Sequence, residues 1–281
     1  MPRSGLSRRS FLKSAAIVGP GLTFPFETRA AGTERKTLLV VGAHMDDCEW
    51  GAAGVMLKAL NAGHRVVAIQ AVSDWSNWPP SQGREKQVEA GVLRVAKQIG
   101  VEKILLGYKY HHVPVDLDIK RRIAEIADDV KPDIALIMSE KDYWTDHANA
   151  GRAGKDGIMF AHGYLARAVK SPRFILTYAG AANQTYDFKP DTFVDTTEVI
   201  DRAAWLINEL GPEGVILREE GPNYVEHVVL DGPAERGYPK RLDLTAEAAS
   251  LLATDARWGE MCGVRYAEAF QTVRFQPREL W

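Results

Sequence analysis

Cysteine is nearly absent from this chain: Cys48 and Cys262 are the two present in 281 residues. One pair makes no disulfide framework, so a buried core must carry the fold, and both thiols are expected to be free. Long apolar runs are missing as well, and nothing approaches the roughly 18 residues that a membrane-spanning helix requires. Neither sign of charge dominates. Lys and Arg number 35 against 37 Asp and Glu, a formal net charge of −2. That balance lacks the basic excess expected of a nucleic-acid or anionic-membrane partner. Internal repeats and low-complexity tracts are absent, and no Gly-x-Gly-x-x-Gly follows the first expected strand, which disfavours a dinucleotide-dependent dehydrogenase.

What is present is ordinary globular material, 46% hydrophobic and 26% charged, enough to bury one large core. The N-terminus reads differently. Ser7-Arg8-Arg9-Ser10-Phe11-Leu12-Lys13, a modestly apolar stretch to Phe26, and small residues at Ala30-Ala31 together resemble a twin-arginine export signal. The expected organisation is therefore a signal peptide over 1–31 and one domain over 32–281, exported to the periplasm or secreted. Removal of the signal takes away five basic residues and one acidic residue and leaves −6. No membrane span is expected once the signal is gone.

From residue 38 onward the pattern alternates strand and helix. Strands are expected at Leu38–Gly42, Arg65–Ala71, Lys103–Leu106, Ile134–Met138 and Phe174–Thr177. Helices are expected at Gly51–Asn61, Arg84–Ile99, Asp116–Val130 and Ala150–Val169. The C-terminal part is less regular. It has a helix from about Thr196 to Leu210, a Gly- and Pro-rich stretch over 211–242, a helix at Thr245–Leu252 and a strand at Tyr266–Val273. This order predicts an α/β fold, a mainly parallel sheet with helices on both faces and a loop-rich C-terminal elaboration.

Chemistry concentrates where the first strand ends. His44, Asp46 and Asp47 fall within four positions behind the apolar run Leu38-Leu39-Val40-Val41. Ligands of open α/β sheets bind at the carboxyl ends of the strands. A histidine with a carboxylate suits a divalent transition metal, and a spare carboxylate can serve as a base toward a water on that metal. Asp146-His147, in the stretch that follows strand Ile134–Met138, can bring a third ligand to the same edge.

Ala43-His44-Met45-Asp46-Asp47-Cys48-Glu49 with Gly51 and Gly54, Pro132-Asp133, Asp146-His147, Phe193-Val194-Asp195 and Tyr266-Ala267-Glu268-Ala269-Phe270 resemble the PIG-L/LmbE family of zinc-dependent N-acetylglucosaminyl deacetylases. The resemblance implies a Rossmann-like three-layer sandwich. It also implies a Zn²⁺ site, with another divalent metal as an alternative, held by His44, Asp47 and His147. It implies Asp46 as general base in removal of an N-acetyl group from an amino sugar or related glycoconjugate. Two alternatives stand beside it: a zinc amidase acting on a different acyl amide, and a non-catalytic carbohydrate-binding relative. Asp146 is expected to orient His147 or cap the next helix, and Glu49 to support the loop.

Two departures matter. Met45 replaces the family's usual proline, and Trp144 stands where many relatives carry a second histidine that polarises the carbonyl. Oxyanion stabilisation still needs a donor. His227 is the favoured substitute, ahead of the His111-His112 pair, Arg84 and Arg152. Trp75 and Trp78, in Asp74-Trp75-Ser76-Asn77-Trp78-Pro79-Pro80, together with Trp144 and Arg84, are expected to contact a sugar substrate.

Overall fold

Leu38, Leu39, Val40 and Val41 are 0–1% exposed. A strand buried on both faces reads as a continuous apolar run, and such strands belong in the middle of a parallel sheet. The computed structural model, which describes residues 34–273 except 82, 182–183, 211–228, 232–240 and 244, places this strand there. Residues 1–33, with the twin-arginine segment, and His227 lie outside the described residues.

The elements run in the order β1 (Thr37–Gly42), α1 (Asp47–Asn61), β2 (Arg65–Asp74), α2 (Glu85–Ile99), β3 (Glu102–Lys109), α3 (Leu117–Val130), β4 (Ile134–Met138), α4 (Thr145–Met159) and α5 (Ala161–Leu165). They continue with β5 (Phe174–Tyr178), β6 (Thr192–Asp195), α6 (Ile200–Leu210), β7 (Val229–Asp231), β8 (Arg241–Asp243), α7 (Ala246–Cys262) and β9 (Ala267–Thr272). Seven strands form one sheet in the order β3-β2-β1-β4-β5-β9-β6, and β7 and β8 pair separately. The first five are mutually parallel, and β9 enters antiparallel between β5 and β6.

The chain leaves β1 toward β2 and β3 on one side and returns to β4 and β5 on the other. The end of β1 beside β4 is therefore the switch point where open α/β sheets hold their ligands. α1 and α4 both pack on β1 and β4. α4 sits close because glycines line its contact face: a Cβ on Gly151 would lie 2.5 Å from the Met138 carbonyl oxygen, and one on Gly154 3.0 Å from Val41.

Three expectations need correction. α4 begins at Thr145 rather than Ala150, which puts His147 in a helical first turn, and it stops at Met159, with the short α5 following. α7 runs to Cys262, far beyond Leu252, and ends at Gly263 in the left-handed conformation (φ 79°) that glycine adopts without strain. α6 begins at Ile200 rather than at about Thr196, and the strand Thr192–Asp195 precedes it.

α1 is kinked at Ala52 (φ −152°, ψ 17°), and the Glu268 carboxylate on β9 accepts hydrogen bonds from the Gly54 and Val55 amides beyond the kink. Burial lifts Glu268 to about 7. Asp255 on α7 stands well above the usual carboxylate range, first through burial and then through the charge of Glu268. Ionising Asp255 in the folded state therefore costs stability, and that cost grows as pH rises above the ordinary carboxylate range. The stability difference between Asp255→Asn and the parent protein should move in the variant's favour from pH 5 to pH 8 in denaturant titrations. A pH-independent difference would contradict this.

Candidate metal centre

The loop after β1 closes on itself through Asp47, whose carboxylate accepts the backbone N–H groups of Ala43 and His44. That fixes the ring of His44 and the oxygens of Asp47 before any ligand arrives. Across the switch point, Asp142 Oδ1 accepts the Trp144 N–H at 2.8 Å and turns the loop after β4 into α4. His147 then projects from the first turn of that helix.

These two walls bring His44, Asp47 and His147 together, all buried, with one ligand atom from each lying within 4.8 Å of the others. His44 Nδ1 is 3.0 Å from His147 Nε2 and 3.4 Å from Asp47 Oδ2, and His147 Nε2 is 3.3 Å from Asp47 Oδ1. The outward nitrogens are engaged too. His44 Nε2 meets Asp146 Oδ2 at 3.0 Å, and His147 Nδ1 meets Asp142 Oδ1 at 3.2 Å. A carboxylate on the far nitrogen of each ring keeps the proton there and turns both lone pairs inward. Two inward lone pairs beside a carboxylate are the donor set of a divalent cation site, and N, N, O from three residues leaves room for further ligands. Asp146 is thus the partner of His44, a correction to the expectation that it orients His147; Asp142 does that.

Charge leads to the same conclusion. Burial opposes protonation of His44, yet Asp146 and Asp47 outweigh it and raise the imidazole to about 9. His147 is raised in the same way, against burial, by Asp47 and Asp142. Asp47 is held well below the carboxylate range, because His147 and His44 prevail over its burial. The cluster is built to hold positive charge. Asp46 differs. Burial, and then the neighbouring Asp47 charge, raise it to about 7, and it is the one member of the loop's acid pair that remains partly open.

Beneath the loop, Lys103 Nζ donates to the Met45 carbonyl at 2.7 Å and pairs with Glu49 at 3.1 Å, both side chains being fully buried. Glu49 supports the loop from below and faces away from the ligand cluster. Cys48 is also buried and free, its thiol pushed far up by burial, and its Sγ faces the Ile69 carbonyl.

Asp146 ties a third segment to the site. It is 0% exposed and also accepts the His111 N–H at 2.7 Å and the Val113 N–H at 3.1 Å, so the loop after β3 hangs on the carboxylate that orients His44. Asp146→Asn puts an amide donor against these donors. It should weaken metal affinity about 10–100-fold, measured by competition with a chelating dye; unchanged affinity would contradict the role assigned to Asp146.

Aromatic rings wall the centre. Tyr110 lies 5.2 Å from the His44 ring, Trp75 6.0 Å and Trp144 6.4 Å. Trp75 is only 1% exposed, so it backs His44 and has no free face for a sugar, which corrects the expectation for that residue. Trp78 packs beside it at 5.4 Å and is half-buried. Trp144 keeps part of its surface open, with His111 stacked on it at 5.4 Å and 24°. Arg84 is the N-cap residue of α2, and Arg152 is exposed on α4. Tyr110 and Asp142 escaped the reading of the sequence. The available signals were a tyrosine directly before the His111-His112 pair and an acid five residues ahead of His147.

Residues 39–158 match the model of the PIG-L family, GlcNAc-PI de-N-acetylase. Among curated proteins, 4-oxalmesaconate hydratase from Pseudomonas putida is 24% identical over 188 residues, 62% of this chain and 72% of that protein. Among solved structures, N,N'-diacetylchitobiose deacetylase from Pyrococcus horikoshii is 19% identical with a TM-score of 0.63, covering 84% of this chain and 83% of its own. The 4-carboxy-2-hydroxymuconate hydratase of Pseudomonas putida reaches a TM-score of 0.64 at 18% identity, over 88% of this chain and 99% of its own.

Proposed function

We propose that this chain, whose residues 39–158 match the model of the PIG-L family, is a metal-dependent hydrolase that removes an N-acetyl group from an amino sugar or a related glycoconjugate. The observation that carries this reading is the buried His44, Asp47 and His147 cluster with Asp46 one residue from a ligand. Those three side chains would hold the ion, zinc being the expected one. Bound there, such an ion supplies Lewis acidity toward water and the substrate's acyl oxygen.

The chain's own groups supply the rest. Asp46, next to the ligand Asp47 and the more open of the two acids, is placed to accept a proton and to return it to the departing nitrogen. Asp142 and Asp146 hold the imidazoles in the ligating tautomer. The aromatic wall excludes water from one side and offers the part-open ring of Trp144 to the apolar face of a sugar.

A second reading keeps the centre and adds water across an activated C=C bond of an unsaturated carboxylic acid. The hydratase relative at 24% identity favours it. The two are separated by following acetate release from N-acetylglucosamine and N,N'-diacetylchitobiose alongside loss of ultraviolet absorbance from an unsaturated dicarboxylate. Acetate release supports the deacetylase; absorbance loss without acetate supports the hydratase and overturns it.

Export is part of the proposal. The Ser7–Lys13 segment supports the twin-arginine route, and a variant with Arg8→Lys and Arg9→Lys should accumulate in the cytoplasm in cell fractionation. Equal export of that variant would contradict it.

A further inference from the structure

The residues described so far could hold a cation and supply a base; a third requirement is a donor for the oxygen on which negative charge develops. Tyr110 lies beside the ligand His44, at a ring distance of 5.2 Å. It follows β3, and its backbone is tied at both ends: its N–H donates to the Asp74 carbonyl at 2.9 Å, and its carbonyl accepts from Asn77 Nδ2 at 2.7 Å. Its ring lies 4.1 Å from His111, 5.2 Å from His44, 5.6 Å from Trp75, 6.2 Å from Trp78 and 6.4 Å from Trp144. Every other ring of the wall touches this one, so its position is over-determined. His111 is held beside it with φ 63°, a conformation that costs energy for a non-glycine residue and persists where the surroundings enforce it. The phenol itself has no hydrogen-bond partner among the described residues.

We propose that Tyr110 Oη donates a hydrogen bond to the oxygen of the group under attack, which makes Tyr110 a catalytic residue of this centre. An ordinary phenol, with a pKa of about 10, keeps its proton at neutral pH and remains a donor. The bonding change is small and balanced. As the acyl carbon becomes tetrahedral, the O–H of Tyr110 shortens its contact with the developing oxyanion, and no proton leaves the phenol. A rigid donor aimed at developing charge typically contributes ~10²–10³-fold in rate. The ring scaffold explains how a centre with Trp144 in place of a histidine supplies such a donor: Trp144 and His111 brace the tyrosine.

The inference rests on the hydrolase reading but is tested partly apart from it. Tyr110→Phe keeps every ring contact and removes one oxygen, and its tryptophan fluorescence and bound metal should match the parent protein. On N,N'-diacetylchitobiose, kcat should fall ~10²–10³-fold with KM little changed. Acetohydroxamate, which presents an anionic oxygen beside a metal-directed carbonyl, should bind the metal-loaded variant about tenfold more weakly by calorimetry, in keeping with one lost charge-assisted hydrogen bond. A Phe variant with hydroxamate affinity and kcat both within twofold of the parent overturns the proposal. Should the parent protein release no acetate, the deacetylase reading fails, and the hydroxamate comparison alone decides the role of Tyr110.

Discussion

Asp46→Asn should lower turnover by about 10²–10⁴-fold, the usual cost of losing a general base, while bound metal stays at one per chain. The substitution is nearly isosteric, and Asp46 is the N-cap position of α1 without a side-chain cap hydrogen bond, so the loop has no structural reason to move. Asp47 keeps both amide contacts from Ala43 and His44 and stays available to the ion. In the proposed division of labour, Asp47 binds the ion while its neighbour Asp46 exchanges protons. Metal analysis beside acetate release checks the prediction. An Asn variant that keeps more than a tenth of the activity, or that loses its metal, would contradict the division of labour. A protein that only binds carbohydrate would be indifferent to the change.

Lys103→Met should cost roughly 3–5 kcal/mol of folding stability, the range for breaking a buried ion pair by removing one partner. Glu49 would be left charged with its side chain fully buried, and the Met45 carbonyl would lose its donor. Lys103 is a β3 residue, so this pair is how that strand supports the loop after β1 from beneath. Pairing Lys103→Met with Glu49→Gln should recover much of the loss, because it removes the stranded charge. Urea denaturation of the three proteins measures this. A single variant within 1 kcal/mol of the parent protein would show that solvent reaches Glu49 and that the pair does not hold the loop.

The parts of this molecule legible in the sequence are those whose signal is local. The run Leu38–Val41 announces a central strand because burial on both faces demands continuous apolar residues. His44, Asp46 and Asp47 announce a site because polar residues cluster where that strand stops. Features that depend on tertiary placement are silent. Lys103 reads as an ordinary charged residue until the sheet carries it under Met45, and Asp142 gains meaning only when α4 is set so that His147 faces β1. The start of α4 was hidden because its N-cap is Trp144, which makes no side-chain cap, while the helix is turned in by Asp142 two residues earlier. The extent of α7 was hidden by Asp255, a polar residue in the middle of the helix that is nevertheless buried against β9. Trp75 illustrates the reverse error: an aromatic beside Asn and Asp suggested a sugar platform, yet it is a wall behind a ligand.

The central claim is that His44, Asp47 and His147 hold one divalent ion on which hydrolysis depends. The most direct measurement strips the protein with a chelator and titrates zinc back, following bound metal and acetate release from N,N'-diacetylchitobiose in the same samples, with His147→Ala in parallel. The account predicts one ion per chain, acetate release that rises with occupancy, and loss of both in the His147 variant. Acetate release that survives complete stripping, or tight binding of one zinc by the His147 variant, would contradict it.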